Sequence, residues 1–317
     1  MTRVLITGAA GFLGRRLTDA LLYAGQIGGA PISELILADL VAPPEPAKMT
    51  NTIKLTNKIG DLSDSAFLED LYATGFDSLF HLASFLTIQA ESDPSRAYLV
   101  NVESLRRLLD QASNCPRVIF TSSIAIHGGA LPDMVDDTRN PIPATTYGTH
   151  KAVNELLIAD YSRLGRIDGR SLRLPIVVTR PGAPTPAVSD RIAAILREPL
   201  RGRDQVAPLS PDTIVPLVSA GAVVRALIAT HDAPAEALPP KRAFNLPSLS
   251  VTIAQMAEAA ARGGGTGRVT FQPDPQIEKI VASWPQQFVS DHAARLDVRC
   301  DKDIDALVQD YLTHEGR

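Results

Sequence analysis

The run Gly8-Ala9-Ala10-Gly11-Phe12-Leu13-Gly14 constrains this chain more than any other stretch. It follows Arg3-Val4-Leu5-Ile6-Thr7, a β-branched run that reads as a buried parallel strand. Beyond it, Phe12, Leu13, Arg16, Leu17, Ala20 and Leu21 recur at helical spacing. The glycines therefore stand at a strand-to-helix turn. Gly8 permits a tight turn, Gly11 lets backbone approach a pyrophosphate, and Gly14 lets the helix pack on the strand. The helix start, with Phe12 and Leu13 in its first turn, adds N–H donors and a positive dipole end. A merely tight strand-to-helix turn is the alternative reading.

Leu35-Ile36-Leu37-Ala38-Asp39 reads as a second strand ending in an acid. It lies at the separation, roughly 20 residues, expected for a ribose-binding carboxylate. Such a carboxylate accepts hydrogen bonds from ribose hydroxyls and repels a 2′-phosphate. Leu40 and Val41 follow, with no adjacent Arg or Lys. These residues point to NAD rather than NADP. Gly25 to Ala30 reads as a loop, and 53–59 as a third strand leading to Gly60-Asp61-Leu62. Asp61 is placed either to accept from an adenine amino group or to cap the next helix. Ser78 to Ser84 reads as a fourth strand whose small carboxyl-end residues, Ala83 and Ser84, let a cofactor lie close; His81 within it reads as structural.

A helix carries Tyr98, Val102, Leu105, Leu108 and Leu109 on one face, interrupted by Asn101. A buried amide must find partners. Asn101 is either a satisfied core amide or the holder of a water beside an active site. Arg117 to Thr121 reads as strand five, with Ser122 and Ser123 at its carboxyl end, where ligands of open parallel sheets bind.

Thr146-Tyr147-Gly148-Thr149-His150-Lys151 then places a phenol and an amine one helical turn apart. A neighbouring cation favours phenolate, and a phenolate in a cleft can take a proton from an alcohol. The helix is expected to bury Val153, Leu156, Leu157, Tyr161 and Leu164. Residues 170–178 read as a sixth strand. Pro175 interrupts its ladder at a point where a strand can open towards bound cofactor. From Arg180 the texture changes. Pro199, Pro208, Pro211 and Pro216 look too irregular for sheet core, and the segment reads as a lobe over the cleft. Helices are expected through Ile192 to Leu196, 222–230, Met256 (with a Thr252–Gln255 capping box) and 304–312, and strands at 243–246 and 269–271.

Composition excludes other classes. At 317 residues the chain can bury a large core, and 45% hydrophobic with 21% charged residues suits a globular protein. A net charge of −4, with both signs interspersed, argues against a nucleic-acid surface. Cys115 and Cys300 make no disulfide framework, and no Cys/His cluster has metal-ligand spacing. No apolar run is long enough to cross a bilayer and no signal peptide is evident, so a cytoplasmic protein is expected.

Gly8-x-x-Gly11-x-x-Gly14, Asp39, Asp61-Leu62, His81-Leu82-Ala83-Ser84, Asn101, Thr121-Ser122-Ser123 and Tyr147-x-x-x-Lys151 resemble, in order and spacing, the extended short-chain dehydrogenase/reductases. The resemblance implies an α/β fold: a doubly wound Rossmann sheet, usually of seven parallel strands, with a smaller C-terminal substrate-binding lobe. It implies an NAD-binding domain over 1–179 and a mainly substrate-binding lobe over 180–317, with segments near 215–246 returning to the first. It implies that Ser123 orients the substrate hydroxyl, that Tyr147 is the base, and that Lys151 binds the nicotinamide ribose and lowers the Tyr147 pKa. Asn101 would support a water near Lys151. A homodimer through the helices carrying Asn101 and Lys151 rests on the same resemblance.

Within the family, Arg173-Leu174-Pro175 and His127-Gly128-Gly129 depart from the epimerases and dehydratases. The segments 171–182, Arg197-Glu198-Pro199-Leu200, Asn245-Leu246-Pro247 and Ile280 to Pro285 are similar instead to sugar-acid dehydrogenases. Those enzymes use NAD to oxidise the C2 hydroxyl of D-erythronate or a similar aldonate to the 2-keto acid. An acid substrate needs a cation, for which Arg180 is the first choice and Arg191 the second, a surface arginine being the alternative for each. Ser84 and Thr185 are candidate contacts to substrate hydroxyls. Two further readings stay open: a nucleotide-sugar epimerase with tightly held NAD, and a non-catalytic NAD-binding sensor.

Overall fold

The computed structural model describes residues 1–46, 52–178 and 187–314. In chain order the first half comprises β1 (Thr2–Thr7), α1 (Phe12–Ala24), β2 (Gln26–Ile27), β3 (Ala30–Asp39), β4 (Lys54–Ile59), α2 (Ser65–Ala73) and β5 (Ser78–His81). These are followed by α3 (Thr87–Ser92), α4 (Pro94–Tyr98), α5 (Ser104–Asp110), β6 (Arg117–Ser123), β7 (Met134–Val135), α6 (Thr146–Arg163) and β8 (Asp168–Leu174). Next come β9 (Ile176–Val178), α7 (Val188–Leu200), β10 (Gln205–Ala207), β11 (Ile214–Ser219), α8 (Ala220–Asp232), β12 (Ala243–Asn245) and β13 (Leu249–Thr252). The chain closes with α9 (Ile253–Arg262), β14 (Val269–Phe271), α10 (Pro275–Val281), β15 (Gln287–Phe288), α11 (Asp291–Arg295) and α12 (Ile304–His314).

Among the described residues, seven parallel strands form the main sheet, in the order β12-β8-β6-β5-β1-β3-β4. Strand order reverses between β1 and β5, so the ligand crevice of a doubly wound sheet falls there. Alternation along each strand feeds two cores. Val4, Ile6, Leu35, Leu37, Phe80 and Leu172 face α1 and α8, while Leu5, Ile36, Leu79, Val118 and Phe120 face α2, α5 and α6. Such unbroken apolar strands require cover on both faces.

Several expectations need correction. Gly25 to Ala30 is no open loop: Gly25 caps α1 in the left-handed region, and β2 pairs antiparallel with β3. The strand expected over 78–84 ends at His81. The single strand expected over 170–178 is two strands in two sheets. β8 stays in the main sheet to Leu174, and β9 pairs with β11 in a three-stranded sheet with β13. Pro175, lacking an N–H, stands at the crossing. Pro216 lies inside β11, opposite Ser250, so the proline-rich stretch does contribute sheet core. Of the 215–246 segment, α8 packs on the main sheet and β12 extends its edge, whereas β11 belongs to the second sheet. That second sheet and α7, α9 and α12 share a third core around Ile195, Leu217 and Met256.

The helix before β6 is continuous but irregular. Leu99–Glu103 between α4 and α5 is a π-helical turn. The extra residue rotates the preceding turn outwards, so Tyr98, expected inside, is 48% exposed. Likewise α6 does not bury an apolar stripe: Leu156 and Leu164 are exposed, and its buried residues include Lys151, Asn154 and Glu155. No helix among the described residues is long and apolar enough to cross a membrane.

Candidate active site

The loop after β1 is a cradle that side chains would fill. Gly8 has φ +75°, and a Cβ there would stand 2.7 Å from the Ala83 nitrogen. A Cβ on Gly14 would stand 2.2 Å from the Gly8 oxygen, so α1 can rest on the turn only with glycine there. Gly11 begins α1 with no side-chain cap, which leaves the first N–H groups of the helix, including those of Phe12 and Leu13, for an outside acceptor. Asp39 closes the loop: its Oδ2 accepts from the Ala10 N–H at 2.9 Å and its Oδ1 from the Leu40 N–H at 2.7 Å. Each oxygen keeps a lone pair for a further donor. This small-residue, N–H-rich, acid-edged cradle fits a dinucleotide.

At the carboxyl end of β6, Ser123, Tyr147 and Lys151 converge. The Ser123 hydroxyl accepts from the Ala125 N–H at 3.1 Å and lies beside the Tyr147 phenol. Thr145 caps α6 through the Gly148 N–H, which sets Tyr147 in the first turn. The Lys151 Nζ is buried, donates to the Thr121 carbonyl at 2.6 Å, and stands 4.6 Å from the Phe120 ring centroid and 5.5 Å from that of Tyr147. Burial pushes the Tyr147 phenol up to about 12, against a smaller lowering by Ser123, and pushes the Lys151 amine down to about 7, against Glu155. With the protein's own groups alone, desolvation therefore outweighs the attraction between cation and phenolate expected from the spacing.

This has a consequence for stability. A lysine held below its ordinary value binds fewer protons folded than unfolded between about pH 7 and 10.5. Stability from this group therefore rises with pH across that window, by at most about 1.4 kcal/mol per unit. Tyr147 acts oppositely above pH 10, where the folded state binds more protons. Thermal midpoints without added NAD are expected to climb from pH 7 to pH 9, and Lys151→Met is expected to flatten that climb. An equally steep climb in the variant would contradict the buried-amine assignment.

Asn101 is 2% exposed and fully engaged. Its Oδ1 accepts from the Phe85 N–H at 2.7 Å and from Ser84 Oγ at 3.2 Å, and its Nδ2 donates to the Phe85 carbonyl at 3.0 Å. It thereby pins the segment after β5 to the π-helical turn. The Asn101 carbonyl accepts from Asn154 Nδ2 at 2.6 Å. Asn154 was missed in the sequence; its place one turn beyond His150 was the available signal. Glu155 was also missed. It accepts from Ser122 Oγ at 2.5 Å and from Arg173 Nε and Nη2 at 2.9 and 2.7 Å. In the sequence, Arg173 stands out only as a departure from a family pattern.

The remaining candidates are dispersed. Asp61 caps no helix; Asp64 caps α2. Asp61 accepts from the Ser63 N–H and from Arg96 at 3.0 Å, contacts that hold its carboxyl low against the opposing effect of burial. Leu62 and Pro175 are buried, and Ala83, which lies against Gly8, and Ser84 are half-buried. His81 is buried, with Nδ1 2.9 Å from Thr7 Oγ1, and burial, then Lys151, takes it down to about 3. Arg191 is exposed in the first turn of α7. Arg180 and Thr185 lie outside the described residues. No metal-ligand cluster occurs among the described residues.

A dinucleotide cradle at the switch point of a doubly wound sheet defines the class, a Rossmann-fold protein that works with a dinucleotide. The chain belongs to the NAD dependent epimerase/dehydratase family, which residues 4–246 match. It is 40% identical to the D-erythronate dehydrogenase of Cupriavidus necator, over 99% of this chain and 98% of that protein. It is 37% identical to the D-erythronate dehydrogenase of Haemophilus influenzae, over 99% of each. Among solved structures, one titled as a nucleoside-diphosphate-sugar epimerase from Agrobacterium tumefaciens superposes with a TM-score of 0.93. It is 33% identical, over 99% of this chain and 94% of that one.

Proposed function

We propose that the protein oxidises the C2 hydroxyl of D-erythronate, or a similar aldonate, to the 2-keto acid with NAD. The observation that carries this reading is the convergence of Ser123, Tyr147 and Lys151 at the carboxyl end of β6. The likeness to two D-erythronate dehydrogenases over nearly their whole length supplies the substrate class.

When bound, NAD would supply the hydride acceptor for the alcohol carbon. The chain's residues handle the proton and the geometry. Tyr147, ionised, takes the hydroxyl proton and ends as a phenol. Ser123 hydrogen-bonds the substrate oxygen first as alcohol and then as carbonyl. Lys151 in its charged form stabilises the phenolate and would hold the nicotinamide ribose. Gly8, Gly11, Phe12, Leu13 and Gly14 would hold the pyrophosphate, Asp39 the adenine ribose, and Asp61 and Leu62 the adenine. Ala83, Ser84, Asn101 and Pro175 would border the nicotinamide half. Arg180, or failing it Arg191, would bind the substrate carboxylate, with Ser84 and Thr185 at its hydroxyls. The same reading takes residues 1–179 as the NAD-binding domain and 180–317 as mainly the substrate lobe. It places the enzyme in the cytoplasm as a homodimer, for which the exposure of Leu99, Leu156 and Leu164 gives apolar surface.

The likeness to the Agrobacterium structure supports a second reading, an epimerase of nucleotide sugars that keeps its NAD. Incubation with NAD and a panel of four- to six-carbon aldonates, followed by NADH absorbance, separates the two. Accumulating NADH with D-erythronate is expected. Interconversion of a UDP-sugar without free NADH would favour the epimerase, and NAD binding with neither reaction would favour a sensor.

A further inference from the structure

Lys151 is not the last charge on the buried face of α6. One turn further on, Glu155 is 5% exposed and Arg173 of β8, which grips both its oxygens, is 1% exposed. A buried ion pair is weak grounds for stability, because apolar groups of similar volume often serve as well or better. The position of this pair suggests another use. The groups around Lys151 are the Tyr147 phenol and Glu155 on α6, the Thr121 carbonyl and Phe120 ring on β6, and His81 on β5. Glu155 is the carboxylate among them. It also lies within reach of Lys241, which precedes β12 and is held against the Asp137 carbonyl, and both Lys241 and Arg173 press on His127. Glu155 thus faces Lys151, Arg173 and Lys241, the last of which also faces Asp137 and Asp136.

We propose that Glu155, held by Arg173 and Ser122, is a positioning residue for Lys151: its carboxylate, one turn along the buried face of α6, favours the charged form of the amine. This rests on the assignment of Tyr147 and Lys151 as base and cationic partner. Arg173 grips both oxygens of Glu155, and the Ser122 hydroxyl, on the strand that also supplies Thr121 and Ser123, fixes its rotamer. The charge of the carboxylate offsets part of the hydration that a buried ammonium lacks. Burial drives the amine towards neutrality and Glu155 opposes it. Without Glu155, Lys151 gives up its proton at lower pH, and the phenolate that depends on its charge becomes harder to form.

The test is kcat/KM against pH for wild type, Glu155→Gln and Arg173→Lys, each with its thermal midpoint and with Tyr147→Phe in parallel. Glu155→Gln is expected to move the alkaline limb towards acid by about one unit, a loss of about tenfold on that limb. Arg173→Lys keeps a cation opposite Glu155, and is expected to lower the midpoint while leaving the limb in place. A Glu155→Gln profile that superposes on wild type after scaling overturns the proposal. So does an Arg173→Lys limb displaced as far as that of Glu155→Gln, since charge would then not be the cause. Should Glu155→Gln not fold, Glu155→Asp draws the charge back by one methylene. It is expected to move the limb the same way by a smaller step, and an unmoved limb there also overturns the proposal. Normal turnover in Tyr147→Phe refutes the underlying assignment. An inactive Tyr147→Phe beside an unmoved Glu155→Gln refutes only the positioning role.

Discussion

Tyr147→Phe is expected to lower kcat by about 10²–10⁴-fold while leaving NAD affinity close to wild type. The substitution removes one oxygen and keeps the ring against which Lys151 rests, 5.5 Å from its centroid. Packing at the start of α6 should therefore survive, and the thermal midpoint should change little. What is lost is the group that takes the proton as hydride leaves. No other described side chain offers itself in that place: the Ser123 hydroxyl is a far weaker base than phenolate, and Lys151 is turned onto the Thr121 carbonyl. The pH dependence should change as well. Because burial pushes the phenol up to about 12, the wild-type acid limb reports how far bound cofactor and Lys151 bring it down. That limb should vanish from the residual activity of the variant. Steady-state kinetics with D-erythronate, beside NAD titration of the same preparation, check both parts. Undiminished kcat would remove Tyr147 as the base.

Gly148→Ala is expected to cost about 10²-fold in kcat, an effect of position rather than chemistry. Gly148 follows Tyr147 and packs on the turn that follows Ser123. A Cβ there would stand 2.0 Å from the Ala125 oxygen and 2.9 Å from the Ala125 carbonyl carbon. Both are backbone atoms, so no side-chain rotation relieves the contact. The start of α6 must move away from the turn at 124–126, and Tyr147 must then move away from Ser123. Overpacking of this kind costs about 1–3 kcal/mol, so a lower thermal midpoint is expected too. NAD affinity should fall much less, because the cradle at Gly8 to Gly14 lies on a different strand. A variant with wild-type kcat and a lowered midpoint would show that the close approach serves only stability.

Both substitutions fall in a hexapeptide that stands out in the sequence, but for different reasons. The phenol and amine were legible because i and i+4 share a helix face whatever the rest of the chain does. The requirement for glycine between them was not, because the obstructing atom belongs to Ala125, more than twenty residues earlier in the chain. The apolar stripe expected for α6 failed for a related reason. Val153, Leu156, Leu157, Tyr161 and Leu164 do recur at helical spacing, yet Leu156 and Leu164 face outwards. The face turned to the sheet carries Lys151, Asn154 and Glu155, polar groups that can be buried only because Thr121, Asn101, Ser122 and Arg173 receive them. Hydrophobic period reports burial when apolar groups do the burying. It misleads where distant partners satisfy polar ones.

The sequence by itself determined the strand, glycine turn and helix of the cradle, the acid at Asp39, and the order in which Ser123, Tyr147 and Lys151 follow. Each depends on spacing within one or two elements, where backbone geometry dictates which side chains share a face. Only the tertiary structure decided that Pro175 passes the chain from one sheet to another. It alone decided that the π-helical turn at 99–103 turns Tyr98 outwards, and that Arg173 meets Glu155 one turn beyond Lys151. The strength of a buried charge depends on what solvates it, and in this site the solvating groups come from strands that are neighbours in space and strangers in sequence.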